Sequence, residues 1–265
     1  MSASESLHVK VTVVTVVFNA VETIESTIRS VLSQDYGNLE YVVIDGGSTD
    51  GTTDVISRYR DRIAHFVSER DGGIYDAMNK GVAAATGDWI GVMNAGDVFS
   101  SADVLSRIFS SGNPYQGIDV VYGDAVAVDG DRRFADPGAE GVEGLARGPV
   151  YRHGASFVRR ETHLKFPFDL TLKNRLGFAL DFEQIHRMFA AGCVFRKVPV
   201  HVLDYARRGT STVSPFKPGY YNYLITHDMR CSVFMRGWLV WLACWQKGLS
   251  ILKRWGGIRN EKLAR

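Results

Sequence analysis

Short, almost wholly apolar runs alternate along this chain with segments that are apolar on one face only. The runs at residues 9–18 and 39–44 are rich in β-branched residues, which predicts strands covered on both faces of a sheet. Between them, Ile24, Ile28 and Val31 recur at helical spacing. The same order returns twice before residue 99. The pattern therefore predicts an α/β fold with a mostly parallel sheet flanked by helices.

The alternation is less regular after residue 99. We expect a helix around residues 104–109, a strand at 120–128 and a hairpin turn at Asp129-Gly130. Residues 131–152 are rich in glycine and charge and predict a loop, followed by a strand at 155–158, a helix from about residue 180 and a strand at 195–203. The predicted domain spans residues 1–218, with a first part at about 9–128 and a second part at about 129–218.

The segment 219–265 differs in composition from the rest of the chain. Its run 237–245 is strongly apolar, and residues 229–265 hold eight Lys or Arg against one acid, Glu261. Such an aromatic, basic segment favours a helical tail that lies on an anionic membrane surface. The alternative is a helix that packs Trp238, Trp241 and Trp245 against the domain and leaves its basic residues in solvent.

Composition narrows the function classes further. The 265 residues are 45% hydrophobic and 23% charged, as in an ordinary globular protein, and the net charge of +2 gives no indication of nucleic-acid binding. The three cysteines are odd in number and far apart, which favours neither a disulfide framework nor a zinc site. No secretory signal and no apolar run of about 18 residues is recognised. We expect a cytoplasmic protein, peripheral on the inner face of the plasma membrane.

A polar residue follows each of the first four predicted strands: Asn19, Asp45, Asp71 and Asp97. Ligands of parallel sheets bind beyond the carboxyl ends of the strands, so this edge predicts a binding site. Neither a dinucleotide fingerprint nor a phosphate-binding P-loop is present. A phosphate ligand then requires a divalent cation, which Asp97 could hold, while Asp45 and Asp71 could contact a base or ribose. Each aspartate could instead serve only the turn that follows it.

Four blocks of this sequence resemble one enzyme family, in order and in spacing. They are VTVVTVVFNA, LEYVVIDGGSTDGT, ERDGGIYDAMNKGVAAATGDWIGVMNAGD and LDFEQIHRM, and they fall within residues 9–215. These blocks are similar to the family 2 glycosyltransferases, in particular to small bacterial enzymes of O-antigen, exopolysaccharide or glycolipid synthesis. The resemblance implies a GT-A fold with a donor-binding part at about 9–128 and an acceptor part at about 129–218. It also implies a nucleoside diphosphate sugar donor (UDP favoured over GDP), a divalent metal (Mn²⁺ or Mg²⁺) and transfer with inversion.

The resemblance also implies roles for individual residues. Asp97 resembles the metal ligand of the family, and Asp181 resembles the general base that takes the proton of the acceptor hydroxyl. His153 is a candidate for contact with the acceptor, which we expect to be a glycan or a lipid-linked molecule. The donor-binding residues implied in this way are Val17, Asn19, Asp45, Asp71, Asn94, Ala95, Gly96, Asp97, Gly209 and Ser211.

Several positions depart from the family pattern. Gly46 stands where an aspartate often follows, Asn94 and Gly96 stand where acids are common, and Leu180 replaces a glutamate. A cation would therefore be held by one protein carboxylate and mostly by the donor. Asp181 could also be the N-cap of the helix that begins there.

Two other functions remain as alternatives. A sugar nucleotidyltransferase would need a glycine-rich, basic loop after the first strand, and VVFNAVETIE has none. A non-catalytic, membrane-docked assembly subunit would retain the fold with a degenerate metal motif.

Overall fold

The computed structural model describes residues 9–109, 115–206 and 217–227. Its strands are β1 (Val11–Val17), β2 (Leu39–Asp45), β3 (His65–Ser68), β4 (Trp89–Asn94), β5 (Val98–Phe99), β6 (Val120–Asp129), β7 (Arg132–Asp136), β8 (Ser156–Arg159) and β9 (Phe195–Ala206). Its α-helices are α1 (Ile24–Leu32), α2 (Thr52–Ser57), α3 (Ile74–Ala84), α4 (Val104–Phe109), α5 (Arg160–Lys165), α6 (Lys173–Leu176), α7 (Leu180–Ala190) and α8 (Lys217–Thr226).

The first half of the sheet is parallel. Strands β3, β2, β1 and β4 lie side by side in that order, and each pairing between them is parallel. Every residue of β1 is buried, as its β-branched sequence predicts for a central strand covered on both faces. The carboxyl ends of these strands therefore meet at one edge.

The second half of the sheet is mixed. Strand β8 is antiparallel to both β4 and β6, β9 runs parallel to β6, and β5 is antiparallel to β9. The predicted α/β fold with flanking helices is confirmed, but parallel pairing predominates only in the first four strands. Because β8 is antiparallel to β4, its first residues lie toward the edge where β1 and β4 end, and the strand runs away from that edge.

The region 131–152 is not a simple loop, contrary to the prediction. The expected turn at Gly130 is confirmed, and it joins β6 to the antiparallel strand β7. A 3₁₀ turn follows at Glu143–Ala146. Strand β7 escaped the sequence pattern because four of its five residues are exposed and it lacks an apolar alternation.

A buried carboxylate joins the strands at the edge opposite their carboxyl ends. Glu40 is 9% exposed and accepts hydrogen bonds from Lys10 Nζ (2.7 Å), Thr12 Oγ1 (2.6 Å) and both the backbone N–H and the hydroxyl of Thr86 (2.7 and 2.6 Å). Burial alone would raise its pKa, but these hydrogen bonds lower the pKa of Glu40 to about 2. The network ties β1, β2 and the start of β4 together.

Helix α8 crosses the predicted domain boundary at residue 218. Its Leu224 and Ile225 are buried in the same apolar cluster as Leu180 and Ile185 of α7. The first residues of the predicted tail thus pack on the domain, whereas residues 228–265, with the membrane-binding prediction, lie outside the described residues. Within the described ranges, no helix has the length and apolarity that crossing a bilayer requires.

Candidate functional site

A cleft of about 880 Å³ opens at the carboxyl ends of the parallel strands. Its lining includes Val17 after β1, Asp71 after β3, and Asn94 and Asp97 after β4. The location agrees with the ligand position of open α/β sheets. The prediction of a site at this edge therefore has a physical counterpart in the structure.

The turn at residues 94–97 is held in shape by helix α1. The hydroxyl of Thr27 accepts a hydrogen bond from the Gly96 N–H (2.9 Å) and donates one to the carbonyl of Asp97 (2.8 Å). Gly96 has a φ of +98°, which favours glycine at this position. Together these features direct the Asp97 side chain into the cleft wall.

The carboxyl group of Asp97 is only weakly stabilised as an anion. Burial raises the pKa of Asp97 to about 6, and the positive charge of Arg152 and hydrogen bonds from Asn94 oppose this only in part. The Asn94 side-chain amide lies 3.3 Å from Asp97 Oδ2. A cation that binds next to such a carboxylate stabilises its charged form.

Asn94 offers a second oxygen at the same place. Its Oδ1 is buried and has no hydrogen-bond partner among the described residues. A buried acceptor without a partner is costly unless a ligand or ion satisfies it. The described residues contain no cluster of three His, Cys, Asp or Glu that could enclose a metal alone. Asp97 and Asn94 thus fit a hard divalent cation that takes its remaining oxygen ligands from a bound molecule and water.

Gly46 and Asp71 share one space in the cleft. A Cβ atom at Gly46 would lie 2.7 Å from Asp71 Oδ2, closer than real Cβ atoms approach a neighbour. Asp71 Oδ1 accepts the N–H of Gly73 at 2.7 Å, which fixes the carboxylate at the start of α3. The aspartate missing at position 46 is therefore replaced in space by the carboxylate of Asp71.

Asp45 and Asn19 are not among the residues that line the cleft. Asp45 is fully buried, and its carboxylate accepts hydrogen bonds from the N–H and hydroxyl of Ser48 (3.0 and 2.5 Å) and from the hydroxyl of Ser68 (2.6 Å). Asn19 Oδ1 accepts the N–H of Thr49 at 2.9 Å. Both side chains shape the loop after β2. A direct contact between either residue and a donor stays a prediction.

Asp181 lies in the first turn of α7, but it is not the N-cap. The N-cap is Ala179, and Asp181 Oδ1 accepts the N–H of its neighbour Phe182 at 2.8 Å. The N-cap alternative for Asp181 is therefore wrong. Asp181 is outside the lining of the cleft, yet its charge acts on both His153 and Tyr75, so it lies near them.

His153 connects the Asp97 and Asp181 sides of the site. Burial lowers the pKa of the His153 imidazole, and the nearby charge of Asp181 opposes that change. The backbone of the next residue runs beside Asp97, because a Cβ at Gly154 would lie 3.8 Å from Asp97 Oδ2. A neutral imidazole next to a carboxylate can donate a hydrogen bond to a hydroxyl group or accept one from it.

Three basic side chains of the cleft were not anticipated from the sequence. Arg70, Arg152 and Lys173 line it, against two acids, Asp71 and Asp97. The Lys173 ammonium group donates a hydrogen bond to the carbonyl of Gly72. Arg70 and Arg152 come from two separate loops and Lys173 comes from the short helix α6, and no spacing in the sequence relates the three. The surplus of basic groups makes the cleft attractive to an anion.

The structure thus brings most of the predicted donor-binding residues to one place. The predicted residues that line the cleft are Val17, Asp71, Asn94, Ala95, Gly96 and Asp97. Gly209 and Ser211 lie outside the described residues. The roles of all these residues stay predictions.

Curated proteins with similar sequences are glycosyltransferases. The chain is 42% identical over 98 residues to an uncharacterized glycosyltransferase of Mycobacterium tuberculosis, covering 37% of each chain. It is 32% identical over 145 residues to a PGL/p-HBAD biosynthesis glycosyltransferase of the same species, covering 54% of this chain and 56% of the relative. The chain therefore spans roughly half or less of the length of these relatives.

Solved structures of similar fold are also glycosyltransferases. TarS of S. aureus in complex with UDP-GlcNAc matches with a TM-score of 0.63 and 15% identity, covering 83% of this chain and 66% of TarS. The mannosyltransferase PcManGT of Pyrobaculum calidifontis, in complex with GDP-Man and Mn²⁺, matches with a TM-score of 0.59 and 19% identity, covering 89% and 80%. The fold of this chain is the GT-A fold.

A family model also matches most of the chain. The model described as Glycosyl transferase family 2 matches residues 12–201, which include all of the described cleft residues up to Lys173. On this match, the chain belongs to glycosyltransferase family 2.

Proposed function

We propose that this chain is an inverting glycosyltransferase. It moves a sugar from a nucleoside diphosphate sugar, UDP favoured over GDP, to a hydroxyl of a glycan or lipid-linked acceptor. The observation that carries the proposal is the cleft itself, where the Asp97 carboxylate and the unsatisfied Asn94 oxygen lie among three basic side chains. Such a combination suits a diphosphate that arrives with a divalent cation.

The two ends of the cleft suit the two ends of such a donor. Phe18 lines the mouth and is 63% exposed, so its ring offers an apolar face to a nucleobase. Asp71 Oδ2 faces the same space and can accept a hydrogen bond from a base or ribose. The phosphates would then lie toward Asp97, which follows β4 on the other side of β1 from β2 and β3.

Asp97 and Asn94 are the residues that would hold the cation. The cation (Mn²⁺ or Mg²⁺) would supply positive charge to the diphosphate of the donor. Two structures of the same fold support this part of the proposal, since PcManGT was solved with GDP-Man and Mn²⁺ and a glucosyl-3-phosphoglycerate synthase with Mn²⁺ and UDP. With few protein ligands, the cation and the donor are expected to bind as a unit.

Asp181 is the proposed general base. During transfer the acceptor oxygen forms a bond to the anomeric carbon and releases its proton, and a single carboxylate suffices for an inverting step. Asp181 lies in the first turn of α7 with one carboxylate oxygen on a backbone N–H. His153, near Asp181, is placed to orient the acceptor hydroxyl.

The biological setting is the synthesis of cell-surface polysaccharide or glycolipid. The relatives named for PGL/p-HBAD biosynthesis support this assignment. We infer that the enzyme works at the cytoplasmic face of the membrane and that the basic segment 228–265 attaches it to anionic lipid. This segment lies outside the described residues, so the inference rests on its composition.

Incubation with UDP- and GDP-sugars, with and without Mn²⁺, tests the reaction class. Release of a nucleoside diphosphate that depends on Mn²⁺ is the expected result. Release of pyrophosphate would instead indicate a nucleotidyltransferase, and a protein that binds no donor would be an assembly subunit. A screen of donor sugars read by mass spectrometry then identifies the sugar.

The variant Asp181→Asn tests the base. The rate of transfer is expected to fall by about 100-fold or more, because no carboxylate at position 181 takes the proton of the acceptor hydroxyl. Donor affinity is expected to stay unchanged. Asp54→Asn, which alters an exposed carboxylate of α2, is the matched control. Near-normal turnover of Asp181→Asn would remove Asp181 from the mechanism.

A further inference from the structure

Arg152 presents an unusual cation to the cleft. It lies directly before the 3₁₀ turn His153–Ala155, it is exposed, and it lines the same cleft wall as Asp97. Its guanidinium carbon lies 3.9 Å from the centroid of the Tyr205 ring. Among the ion pairs of the described residues, none involves Arg152. Its charge is therefore available to a ligand.

Stacking on an aromatic ring orients Arg152 without using its hydrogen-bond donors. A guanidinium that lies over a ring face makes contact through its flat surface, and its N–H groups point outward in the plane. Those N–H groups match the geometry of phosphate oxygens and can bind them in pairs. An arginine held in this way is prepared for a phosphate before the ligand arrives.

The Tyr205 ring is itself fixed from below. Its hydroxyl donates a hydrogen bond to Asp136 Oδ2 at 2.8 Å, at the end of β7. The preceding residue, Asp204, forms an ion pair with Arg133 at 2.6 Å, also in β7. Side-chain contacts between β7 and β9 thus hold the Tyr205 ring that lies under Arg152.

We propose that Arg152 binds the diphosphate of the donor and stabilises the leaving nucleoside diphosphate, and that Tyr205 positions it. This inference rests on the proposed function. During transfer the bond between the anomeric carbon and the β-phosphate oxygen breaks, and its electron pair stays on that oxygen. Arg152 donates hydrogen bonds to the oxygens that gain this charge, while the acceptor proton goes to Asp181. The turn at residues 94–97 has a single carboxylate to hold a cation. The positive charge of Arg152 would add to that of the cation in neutralising the diphosphate.

The competing explanation is structural. Arg152 could act only as a latch that holds residues 147–155 against β9 through its stack on Tyr205. Titration calorimetry with UDP and with uridine separates the two explanations, since uridine carries no phosphate. In the variant Arg152→Met the side-chain stem remains but the charge is lost, and in Arg152→Lys the charge remains but the planar donors are lost. Arg132→Met, which alters an exposed arginine of β7, is the matched control.

Arg152→Met is expected to weaken UDP binding by about 10- to 100-fold and to leave uridine binding unchanged, as for the loss of a charged hydrogen bond. Arg152→Lys is expected to fall between Arg152→Met and the unaltered protein. Two results would overturn the inference. In the first, Arg152→Met binds UDP within twofold of the affinity of the unaltered protein. In the second, Arg152→Met loses UDP binding and uridine binding equally and has a lowered melting temperature. If the unaltered protein binds neither UDP nor GDP, the proposed function fails as well.

The role of Tyr205 has its own test. Tyr205→Leu removes the ring and is expected to weaken UDP binding by roughly 3- to 10-fold, whereas Tyr205→Phe keeps the ring and restores most of the affinity. If Tyr205 acts through Arg152, the double variant Arg152→Met with Tyr205→Leu binds UDP no more weakly than Arg152→Met alone. Additive losses would show that Tyr205 does not position Arg152.

Discussion

Replacement of Asp97 by asparagine is expected to stabilise the protein while it removes the carboxylate of the proposed cation site. Burial raises the pKa of Asp97 from an ordinary value of 3.8 to about 6, which means that ionisation of this group opposes folding. The difference between the two pKa values corresponds to roughly 3 kcal/mol of unfolding free energy, at about 1.4 kcal/mol per pH unit. For a chain of this size, that amounts to roughly 5 °C in melting temperature.

The sign of the effect depends on pH. Below pH 3.8 the carboxyl group is protonated in both the folded and the unfolded chain, so it contributes no penalty. Between pH 3.8 and about 6 the folded chain retains a proton that the unfolded chain has lost, and stability falls as pH rises. Above pH 6 the full penalty applies. Asp97→Asn is therefore more stable than the unaltered protein at pH 8 and similar to it at pH 4.

Urea unfolding in EDTA at pH 4, 6 and 8 measures this difference directly. The control is Asp54→Asn, which neutralises an exposed carboxylate and is expected to change stability by less than about 0.5 kcal/mol at each pH. In parallel, Asp97→Asn is expected to lose the effect of Mn²⁺ on UDP binding. The reasoning is refuted if Asp97→Asn is no more stable than the unaltered protein at pH 8, or if its advantage is the same at all three pH values.

Three further substitutions have defined outcomes. Glu40→Gln is expected to destabilise the protein by about 2–3 kcal/mol at pH 7 and by less at pH 3. The reason is that the pKa of Glu40 is lowered to about 2, so the stabilisation by its carboxylate is lost as the pH falls from 4.5 to 2. Urea unfolding at both pH values tests this. Gly46→Ala displaces the Asp71 carboxylate and is expected to raise the donor KM several-fold with a small effect on melting temperature, measured by steady-state kinetics and differential scanning calorimetry. Thr27→Val removes the two hydrogen bonds that Thr27 makes to the turn at residues 94–97. It is expected to destabilise the protein by about 1–3 kcal/mol and to weaken Mn²⁺-dependent UDP binding. Unchanged values would show that the turn is held by other contacts.

The parallel half of the fold could be predicted because its signal is local. Strand β1 falls inside the predicted run 9–18, and β2 (Leu39–Asp45) covers the predicted run 39–44. These elements are buried on one or both faces, so the hydrophobic pattern records them. Strand β5 has only two residues and exists through its pairing with β9, a contact between residues about a hundred positions apart. No local pattern could have indicated it.

The acidic part of the site could be predicted for a similar reason, and the basic part could not. Asp71 and Asp97 follow buried strands, and the carboxyl ends of parallel strands meet at one edge. Arg152 and Lys173 reach the same cleft through the tertiary arrangement of segments that lie far apart in the sequence, whereas Arg70 directly precedes Asp71. Charged residues in loops are ordinarily solvated, so their sequence alone gives no reason to place them in a site.

Two apparent weaknesses of the motif become coherent when the space around them is considered. Gly46 looked like a lost carboxylate, yet Asp71 fills the position that a side chain there would need. The single carboxylate at Asp97 looked like a weak cation site, yet it lies beside an unsatisfied Asn94 oxygen that offers a second ligand. A buried carboxylate that opposes folding at neutral pH is hard to explain as a turn residue, because asparagine would serve the turn at no such cost. An aspartate at position 97 is expected where a bound positive charge offsets the cost of its ionisation in the folded protein. The proposed site for a cation and a diphosphate meets this requirement.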